Sequence, residues 1–269
     1  MNSNFVKRTL STLILFPLLV FLILKGPTLL LFLCLFLCVL IAWYEWGKLF
    51  DFSLPFLVYG FLLLFGAFYA LNKFSPLYIT FFLLVGSFAP LISNFQKETF
   101  DKKFFPLFLG IIYLFIGFGS LKILIQGYNR ELILFLFTVV FANDTGAYLV
   151  GKKWGDTPFF PEISPKKTWE GFFGGVAFAL LVALGLNFFL LSLPLLSLLT
   201  LALMLAFIGV MGDLFESAVK RLVGKKDSGA LIPGHGGLLD RIDGVLWAAP
   251  MFLFFLEVLN YGIYFRLGL

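Results

Sequence analysis

The sequence predicts an all-α polytopic integral membrane protein with about nine transmembrane helices and a cytoplasmic N-terminus. Hydrophobic residues make up 61% of the 269 residues and charged residues only 13%. An ordinary soluble protein has roughly 45–50% and roughly 25% of these classes. A chain of this composition cannot cover a soluble domain with polar surface. Its lysines and arginines are moreover concentrated in a few short segments, and that concentration indicates how the helices alternate across the bilayer.

Apolar stretches of about 17–25 residues, bounded by charge, glycine or proline, are the candidate spans. They lie at residues 9–25, 27–45, 53–71, 75–92, 104–125, 131–150, 169–192, 195–217 and 241–264. Lys7 and Arg8 precede the first stretch, as they would in a signal peptide. No small-residue cleavage site follows, so we interpret this stretch as a retained first span.

The distribution of cations predicts the orientation. With the N-terminus inside, fifteen of the 20 lysines and arginines fall in inner segments and five in outer ones. Cytoplasmic loops of membrane proteins carry such an excess. The tryptophans agree, because each lies near an inner boundary, where the membrane interface favours them; they are Trp43, Trp46, Trp154, Trp169 and Trp247. We therefore predict a multi-pass protein of the inner (cytoplasmic) membrane, with its working face toward the cytoplasm.

Polar chemistry is confined to the C-terminal half. Residues 1–130 are predicted to be a scaffold of about five helices, and residues 131–269 a catalytic region with cytoplasmic loops at 151–168 and 217–240. The net charge of +5 comes from membrane-side loops, so we expect no nucleic-acid partner. Acids gathered at span ends, instead of at mid-span, favour an interfacial enzyme over a transporter.

The seventh span carries a ridge of small residues at four-residue spacing: Gly171, Gly175, Ala179 and Ala183. Such a ridge lets two helices approach closely. The sequence leaves open whether the partner helix belongs to the same subunit or to a second one in a homodimer.

Four aspartates stand at the inner ends of spans. Asp144 lies near the inner end of the sixth span, Asp213 closes the eighth together with Glu216, and Asp240 and Asp243 open the ninth on one helical face. A carboxylate beside hydrocarbon needs a compensating cation. Converging carboxylates suit a divalent cation, and magnesium accepts one or two carboxylates together with substrate phosphates. Whether there are one or two metal ions is left open, and salt bridges to nearby lysines are the alternative for any single acid.

The inner loops also hold cations and hydroxyls in a regular arrangement. Asp213, Ser217 and Lys220 share one helical face, because their spacings are four and seven residues. A carboxylate, a hydroxyl and an ammonium on one face suit a metal–phosphate complex. Paired cations precede and follow this face: Lys152-Lys153, Lys166-Lys167, Lys220-Arg221 and Lys225-Lys226. Basic inner loops are also expected from topology alone, which accounts for part of this pattern.

His235 is the single histidine of the chain, which excludes a zinc site built on paired histidines. It suits a general base or a phosphate donor, or a loop histidine that bonds only the backbone. Neither a phosphate loop of the Walker type nor a dinucleotide-binding glycine fingerprint occurs.

Both loops resemble the signature of CDP-diacylglycerol synthases, the phosphatidate cytidylyltransferases, in their bacterial form. The matching residues of the second loop are Ser217, Lys220-Arg221, Lys226-Asp227, Gly229, Pro233, His235-Gly236-Gly237, Asp240-Arg241 and Asp243. Those of the first are Asn143-Asp144-Thr145, Ala147-Tyr148, Gly151-Lys152, Ser164-Pro165-Lys166-Lys167-Thr168 and Glu170-Gly171. The resemblance covers about the C-terminal half of the chain.

The resemblance implies that CTP and phosphatidate react to give CDP-diacylglycerol and pyrophosphate, in a Mg²⁺-dependent step of phospholipid biosynthesis. Asp213, Asp240 and Asp243 are then expected to bind metal, with Asp144 as a weaker candidate. The expected phosphate ligands are Lys220, Arg221, Lys226 and Arg241, and Ser217 is expected to orient a phosphate or a metal-bound water. Lys152, Lys166 and Lys167 are expected to close over CTP or the lipid headgroup, and His235 completes the candidate catalytic residues.

Two other functions remain open on the residues alone. One is another membrane phosphotransferase, either polyprenol kinase-like or a CDP-alcohol transferase. The Asp-Gly-x-x-Ala-Arg pattern of the latter is missing, because Asp243-Gly244 continues as Val-Leu-Trp-Ala. The other is an anion or nucleotide transporter, in which the lysines would line a binding vestibule.

Overall fold

The computed structural model describes residues 16–93, 100–229 and 236–267. Within them the chain forms nine α-helices and one short hairpin. The helices are α1 (Phe16–Lys25), α2 (Thr28–Leu49), α3 (Leu54–Ala70), α4 (Pro76–Ser93), α5 (Phe105–Gly127), α6 (Arg130–Trp154), α7 (Trp169–Leu186), α8 (Leu195–Leu222) and α9 (Leu239–Leu267). The antiparallel strands are β1 (Pro158–Phe160) and β2 (Ser164–Thr168). Single turns of π-helix, Phe100–Phe104 and Asn187–Leu191, precede α5 and follow α7.

Each of the nine predicted spans overlaps one of these helices. Six helices (α2 and α5 to α9) are long and apolar enough to cross a membrane, whereas α1, α3 and α4 are shorter apolar helices within the described residues. The prediction of an all-α polytopic membrane protein is confirmed. The number of nine crossings stays a prediction.

Two boundaries near the second loop differ from the prediction. Helix α8 continues to Leu222 and α9 already begins at Leu239, so the connection between them is shorter than the predicted loop. The β1–β2 hairpin is an addition that the sequence analysis did not predict. Prolines at 158, 161 and 165 prevent a continuous helix there, and the short strands pair Pro158 with Thr168 and Phe160 with Ser164.

Helix α5 forms the centre of the bundle. It contacts α2, α3, α4 and α9, and it is the most buried of the six spanning helices. Helices α8 and α9 pack side by side, and α6 lies along α7 and also reaches α8. Many large apolar side chains, among them Phe21, Leu62 and Phe173, stay exposed on the outside of the bundle. A surface of this kind is suited to lipid.

The small-residue ridge packs within the subunit. Gly171, Gly175, Ala179 and Ala183 are all buried, and α7 lies against α6. A methyl group at Gly175 would come within 2.7 Å of both the backbone oxygen and Oδ1 of Asn143 on α6. The partner of the ridge is therefore a helix of the same chain, which answers the question that the sequence left open.

Three cationic side chains donate hydrogen bonds to backbone oxygens at the C-terminal ends of helices. The segments that they join agree with the predicted alternation of the helices across the membrane. Lys122 donates to the Phe68 backbone oxygen at the end of α3 and to Asn72 Oδ1 at 2.9 Å. Arg130 donates to the Gly26 oxygen and to Thr28 Oγ1. These contacts join segments that were all predicted to lie on the outer side.

Lys225 likewise donates to backbone oxygens at a helix end, on the side of the membrane predicted to be inner. Its Nζ lies 2.6 Å from the Lys48 oxygen and 3.0 Å from the Leu49 oxygen, at the end of α2. A cation near the C-terminus of a helix satisfies carbonyls that have no partner within the helix. The second loop is thereby fastened to the N-terminal half of the chain.

Two tryptophans differ from their interpretation as interface residues. Trp43 and Trp46 are buried, with exposed fractions of 3% and 0%. Each indole N–H donates to a backbone oxygen at 2.8 Å, that of Leu57 for Trp43 and that of Pro106 for Trp46. Their hydrogen bonds and their volume fasten α2 to α3 and α5, so contact with the interface is the wrong explanation for this pair.

The close contact of α6 and α7 predicts a difference between two glycines of the same helix. We expect Gly175→Ala to lower the free energy of unfolding by about 1–3 kcal/mol, because the added methyl overpacks the contact with Asn143. Gly185→Ala has open space around it and should be neutral, or stabilising by up to about 1 kcal/mol through helix propensity. Thermal unfolding of both variants in one detergent measures the difference; equal melting temperatures would contradict this packing.

Candidate active site

A buried lysine joins α8 to α9 at their adjoining ends. Lys220 Nζ lies 2.5 Å from Asp240 Oδ1 on α9 and 3.2 Å from Glu216 Oε1, one turn earlier on α8. All three side chains are at most 10% exposed. Carboxylates this deeply buried require a compensating charge. The contact between Lys220 and Asp240, two of the predicted site residues, is an ion pair.

Asp240 uses both of its oxygens within the protein. Its Oδ1 forms the ion pair with Lys220 Nζ. Its Oδ2 accepts hydrogen bonds from Ser228 N at 2.9 Å, Ser228 Oγ at 3.0 Å and Gly237 N at 2.8 Å. The carboxylate thus binds two separate parts of the second loop, at Ser228 and at Gly237. Its predicted role as a metal ligand stays a prediction, and direct ligation would require it to exchange one of these partners.

A second ion pair joins the first loop to α8. Lys167 Nζ on β2 lies 2.6 Å from Asp213 Oδ2 on α8, and Ser217 Oγ donates to Asp213 Oδ1 at 3.2 Å. The expected neighbourhood of Asp213 and Ser217 on one helical face is therefore present. Unlike the first pair it is partly open to solvent, with Asp213 35% exposed and Lys167 26%.

Asp144 and Asp243 lie near Asp213. Each of these carboxylates interacts electrostatically with the other two, and Asp144 also with Lys167 and Arg241. A close approach of α8 and α9 makes this convergence possible, because a methyl at Gly212 would meet the Asp243 backbone oxygen at 2.6 Å. Three predicted metal ligands from three helices thus face one region.

The oxygen ligands of this region are of the type that a hard divalent cation binds, although the carboxylates do not form a complete coordination site. Among the described residues, no three histidine, cysteine or carboxylate groups are close enough to hold a metal ion as they stand. Oxygen ligands at the inner ends of spans are nevertheless the type that magnesium accepts. Within the part of the chain that the structure describes, several buried polar atoms of this region have no hydrogen-bond partner: Glu216 Oε2, Trp247 Nε1, Tyr113 Oη and Asn143 Oδ1.

The remaining predicted cations are distributed around this centre. Arg221 Nε donates to the Ile163 oxygen at 3.3 Å, which is a second link between the hairpin and α8. Lys152 lies over the ring of Tyr148, 5.6 Å from its centroid, and Lys166, Lys226 and Arg241 are exposed. His235 lies outside the described residues.

The sequence analysis missed one acid, Glu45 on α2. Its side chain is buried, with an exposed fraction of 4%. It accepts hydrogen bonds from Leu238 N, Leu239 N and Ser228 Oγ, so it contacts the same loop as Asp240. The available signal was a lone glutamate between two tryptophans in an otherwise apolar span.

Comparison with known proteins shows the family of this chain. Residues 6–259 match the model of the family described as "Cytidylyltransferase family". The chain belongs to this cytidylyltransferase family. It is therefore an enzyme of the nucleotidyltransferase type, and the resemblance stated from the two loops is confirmed.

Several curated relatives of this cytidylyltransferase carry the name phosphatidate cytidylyltransferase. The protein of Bacillus subtilis is 40% identical over 199 residues, which cover 72% of each chain. That of Staphylococcus saprophyticus is 42% identical over 144 residues, 53% of this chain and 55% of the relative. That of Staphylococcus epidermidis is 46% identical over 120 residues, 44% of this chain and 46% of the relative. The staphylococcal matches therefore span about half of those proteins, whereas the family match spans nearly all of this cytidylyltransferase.

The buried ion pair predicts a large loss of stability on removing the lysine. Lys220→Met leaves Asp240 and Glu216 without their cation, and we expect the free energy of unfolding to fall by about 3–5 kcal/mol. Lys153→Met removes an exposed cation that lies over Trp154 and should cost at most about 1 kcal/mol. Melting temperatures of the two purified variants test this; a Lys220→Met protein as stable as the Lys153→Met control would be inconsistent with a compensating role.

Proposed function

We propose that this cytidylyltransferase converts CTP and phosphatidate into CDP-diacylglycerol and pyrophosphate where the ends of α6, α8 and α9 meet. The observation that carries the proposal is the convergence of three aspartates with two lysine–aspartate ion pairs at this end of the bundle. A water-soluble triphosphate and a lipid phosphate can both reach such a place while the acyl chains stay in the bilayer. The curated names of the relatives support the same reaction.

The reaction needs no protein nucleophile. An oxygen of the phosphatidate phosphate, already anionic, attacks the α-phosphorus of CTP; a new P–O bond forms as the bond to the β-phosphate oxygen breaks, and pyrophosphate leaves with its electron pair. The main barrier is bringing two anions together. Cations that neutralise both phosphates and hold them in line lower that barrier.

The two loops supply those cations in the proposal. Lys166, Lys167 and Lys152 approach from the hairpin side, and Arg221, Lys226 and Arg241 from the second loop. Lys167 Nζ lies 2.6 Å from Asp213 Oδ2. An incoming phosphate would therefore compete with the Asp213 carboxylate for the Lys167 ammonium. Ser217, bonded to Asp213, would orient a phosphate oxygen, and we keep His235 as a candidate phosphate donor.

The carboxylates would serve a divalent cation, which we propose to be Mg²⁺. Asp213, Asp243 and Asp144 are the residues that would hold it, because they face one region and have few donors of their own. A bound Mg²⁺ would stabilise negative charge on the triphosphate. Asp240 would hold Lys220 and the second loop in place beside these three aspartates. Lys220 would neutralise phosphate charge only if its ion pair with Asp240 were weakened or broken.

We also propose an inner-membrane location with this site toward the cytoplasm, where CTP is made. The positive-inside distribution supports it, and so do the capping contacts, which join segments predicted to lie on the same side. The division into a scaffold, residues 1–130, and a catalytic region, residues 131–269, is part of the same proposal.

The reaction is tested with purified protein in detergent or nanodiscs. Labelled CTP, phosphatidate and Mg²⁺ should give labelled CDP-diacylglycerol, whereas a transporter would form no product. Asp213→Asn and Asp240→Asn should each lower the rate at least about 100-fold, the range expected when a charge-stabilising group is lost. Near-normal rates in both folded variants would overturn the assignment of these aspartates, and Glu131→Asn, at the far end of α6, serves as the control.

Orientation is tested by labelling single cysteines. With Cys34 and Cys38 replaced by serine, Glu162→Cys lies in the exposed hairpin and Lys73→Cys in the exposed turn between α3 and α4. We expect a membrane-impermeant maleimide to label position 73 in intact cells and position 162 only after permeabilisation. The reverse pattern would place the active site outside.

A further inference from the structure

Glu45 lies in the half of the chain that carries none of the predicted catalytic residues, yet it reaches into the second loop. Its Oε1 accepts from Leu238 N at 2.9 Å, and its Oε2 accepts from Leu239 N at 2.9 Å. Leu239 is the first residue of α9. The first amides of a helix have no partner within it and bear partial positive charge. A carboxylate from α2 therefore caps α9 across about 190 residues of sequence.

The same carboxylate is linked to the buried ion pair through one hydroxyl. Ser228 Oγ lies 3.2 Å from Glu45 Oε2 and 3.0 Å from Asp240 Oδ2. A serine hydroxyl has one proton, so it donates to only one of these carboxylates at a time. Glu45 and Asp240 thus hold Ser228 between them, and Asp240 in turn holds Lys220.

The loop is shaped around this carboxylate. A methyl at Gly229 would come within 2.8 Å of Glu45 Oε1, and one at Gly237 within 2.6 Å of Oε2. The backbone therefore passes directly over the carboxylate on both sides of the loop. Lys225 adds an independent fastening to α2, through the carbonyls of Lys48 and Leu49.

We infer that Glu45 is a positioning residue of the reaction: from α2 it fixes the first turn of α9, and with it Asp240, Arg241 and Asp243, relative to α8. Glu45 acts through its hydrogen bonds to the loop and to α9, and no substrate contact is required of it. This role rests on the proposed function, because the residues that it positions are those assigned to phosphate and metal.

The first test separates positioning from a general contribution to folding. Glu45→Gln keeps the shape of the side chain but turns an NH₂ group toward groups that are themselves donors. We expect kcat of the folded protein to fall by about 100-fold, the loss associated with a displacement of about 1 Å at a reacting centre. KM for CTP and phosphatidate should change by less than about threefold, since the substrate-contacting side chains are retained. Glu131→Gln, a glutamate in the first turn of α6, is the matched control.

A purely structural role predicts another outcome. Glu45→Gln would then melt at a lower temperature but turn over at the wild-type kcat per folded molecule, and that result would overturn the inference. Glu45→Asp keeps the charge but is one methylene shorter. If negative charge at the start of α9 matters, Glu45→Asp should recover part of the kcat that Glu45→Gln loses. A kcat of Glu45→Asp no higher than that of Glu45→Gln would contradict the capping role.

The second test uses Gly229→Ala, because the added methyl group would clash with the Glu45 carboxylate. Gly229→Ala should lower both kcat and the melting temperature in the wild-type background. In the Glu45→Ala background the same change should cost almost nothing, because the obstructing carboxylate is gone and the methyl fills part of its place. Equal losses in both backgrounds would refute the contact. These melting temperatures report on the Glu45 contact even if the wild-type protein forms no CDP-diacylglycerol, so the failure of the proposed function and the failure of this inference are distinguishable.

Discussion

A lysine ammonium held by two carboxylates, Glu216 and Asp240, determines how α8 and α9 meet. In a chain that is 61% hydrophobic, a carboxylate near hydrocarbon is stable only beside a cation or a set of donors. Asp240 has both, since Lys220 and three loop groups surround it. Because Asp240 and Asp243 lie on one face of α9, the position of this ion pair also decides where Asp243 stands relative to Asp213.

Close helix approach allows these charges to converge. Large side chains at Gly212 or Gly175 would separate α8 from α9 or α6 from α7. The ion pairs alone would be a poor source of stability, because desolvation offsets much of their attraction. Packing supplies most of the stability, and the charges select which end of the bundle carries the chemistry. The hairpin, tied through Lys167 and Arg221, then covers that end.

The helical periodicity, the charge distribution and the loop motifs were sufficient to predict the fold class, the segments of all nine helices and the neighbourhood of Asp213 and Ser217 on one face of α8. They were sufficient because apolar length and helical spacing are local properties. The contacts of Glu45 and Lys225 with residues more than 170 positions away could not be predicted, since spacing along one helix carries no information on which helices are neighbours. The buried Trp43 and Trp46 were misinterpreted for the same reason: composition favours an interface, whereas tertiary packing placed both indoles inside.

The distance in sequence between Glu45 and its partners has a consequence for biogenesis. Ser228 and Leu239 follow Glu45 by 183 and 194 residues, and at about 5–20 residues per second their synthesis takes about 10–40 s. During this time α2 enters the bilayer with a carboxylate whose capping partners do not yet exist. The helix must therefore keep Glu45 near the water-facing boundary, or beside the insertion machinery, until α9 arrives. A helix made about 190 residues later thus completes the burial of a charge carried by α2, so this part of the bundle can be assembled only after α9 has been synthesised.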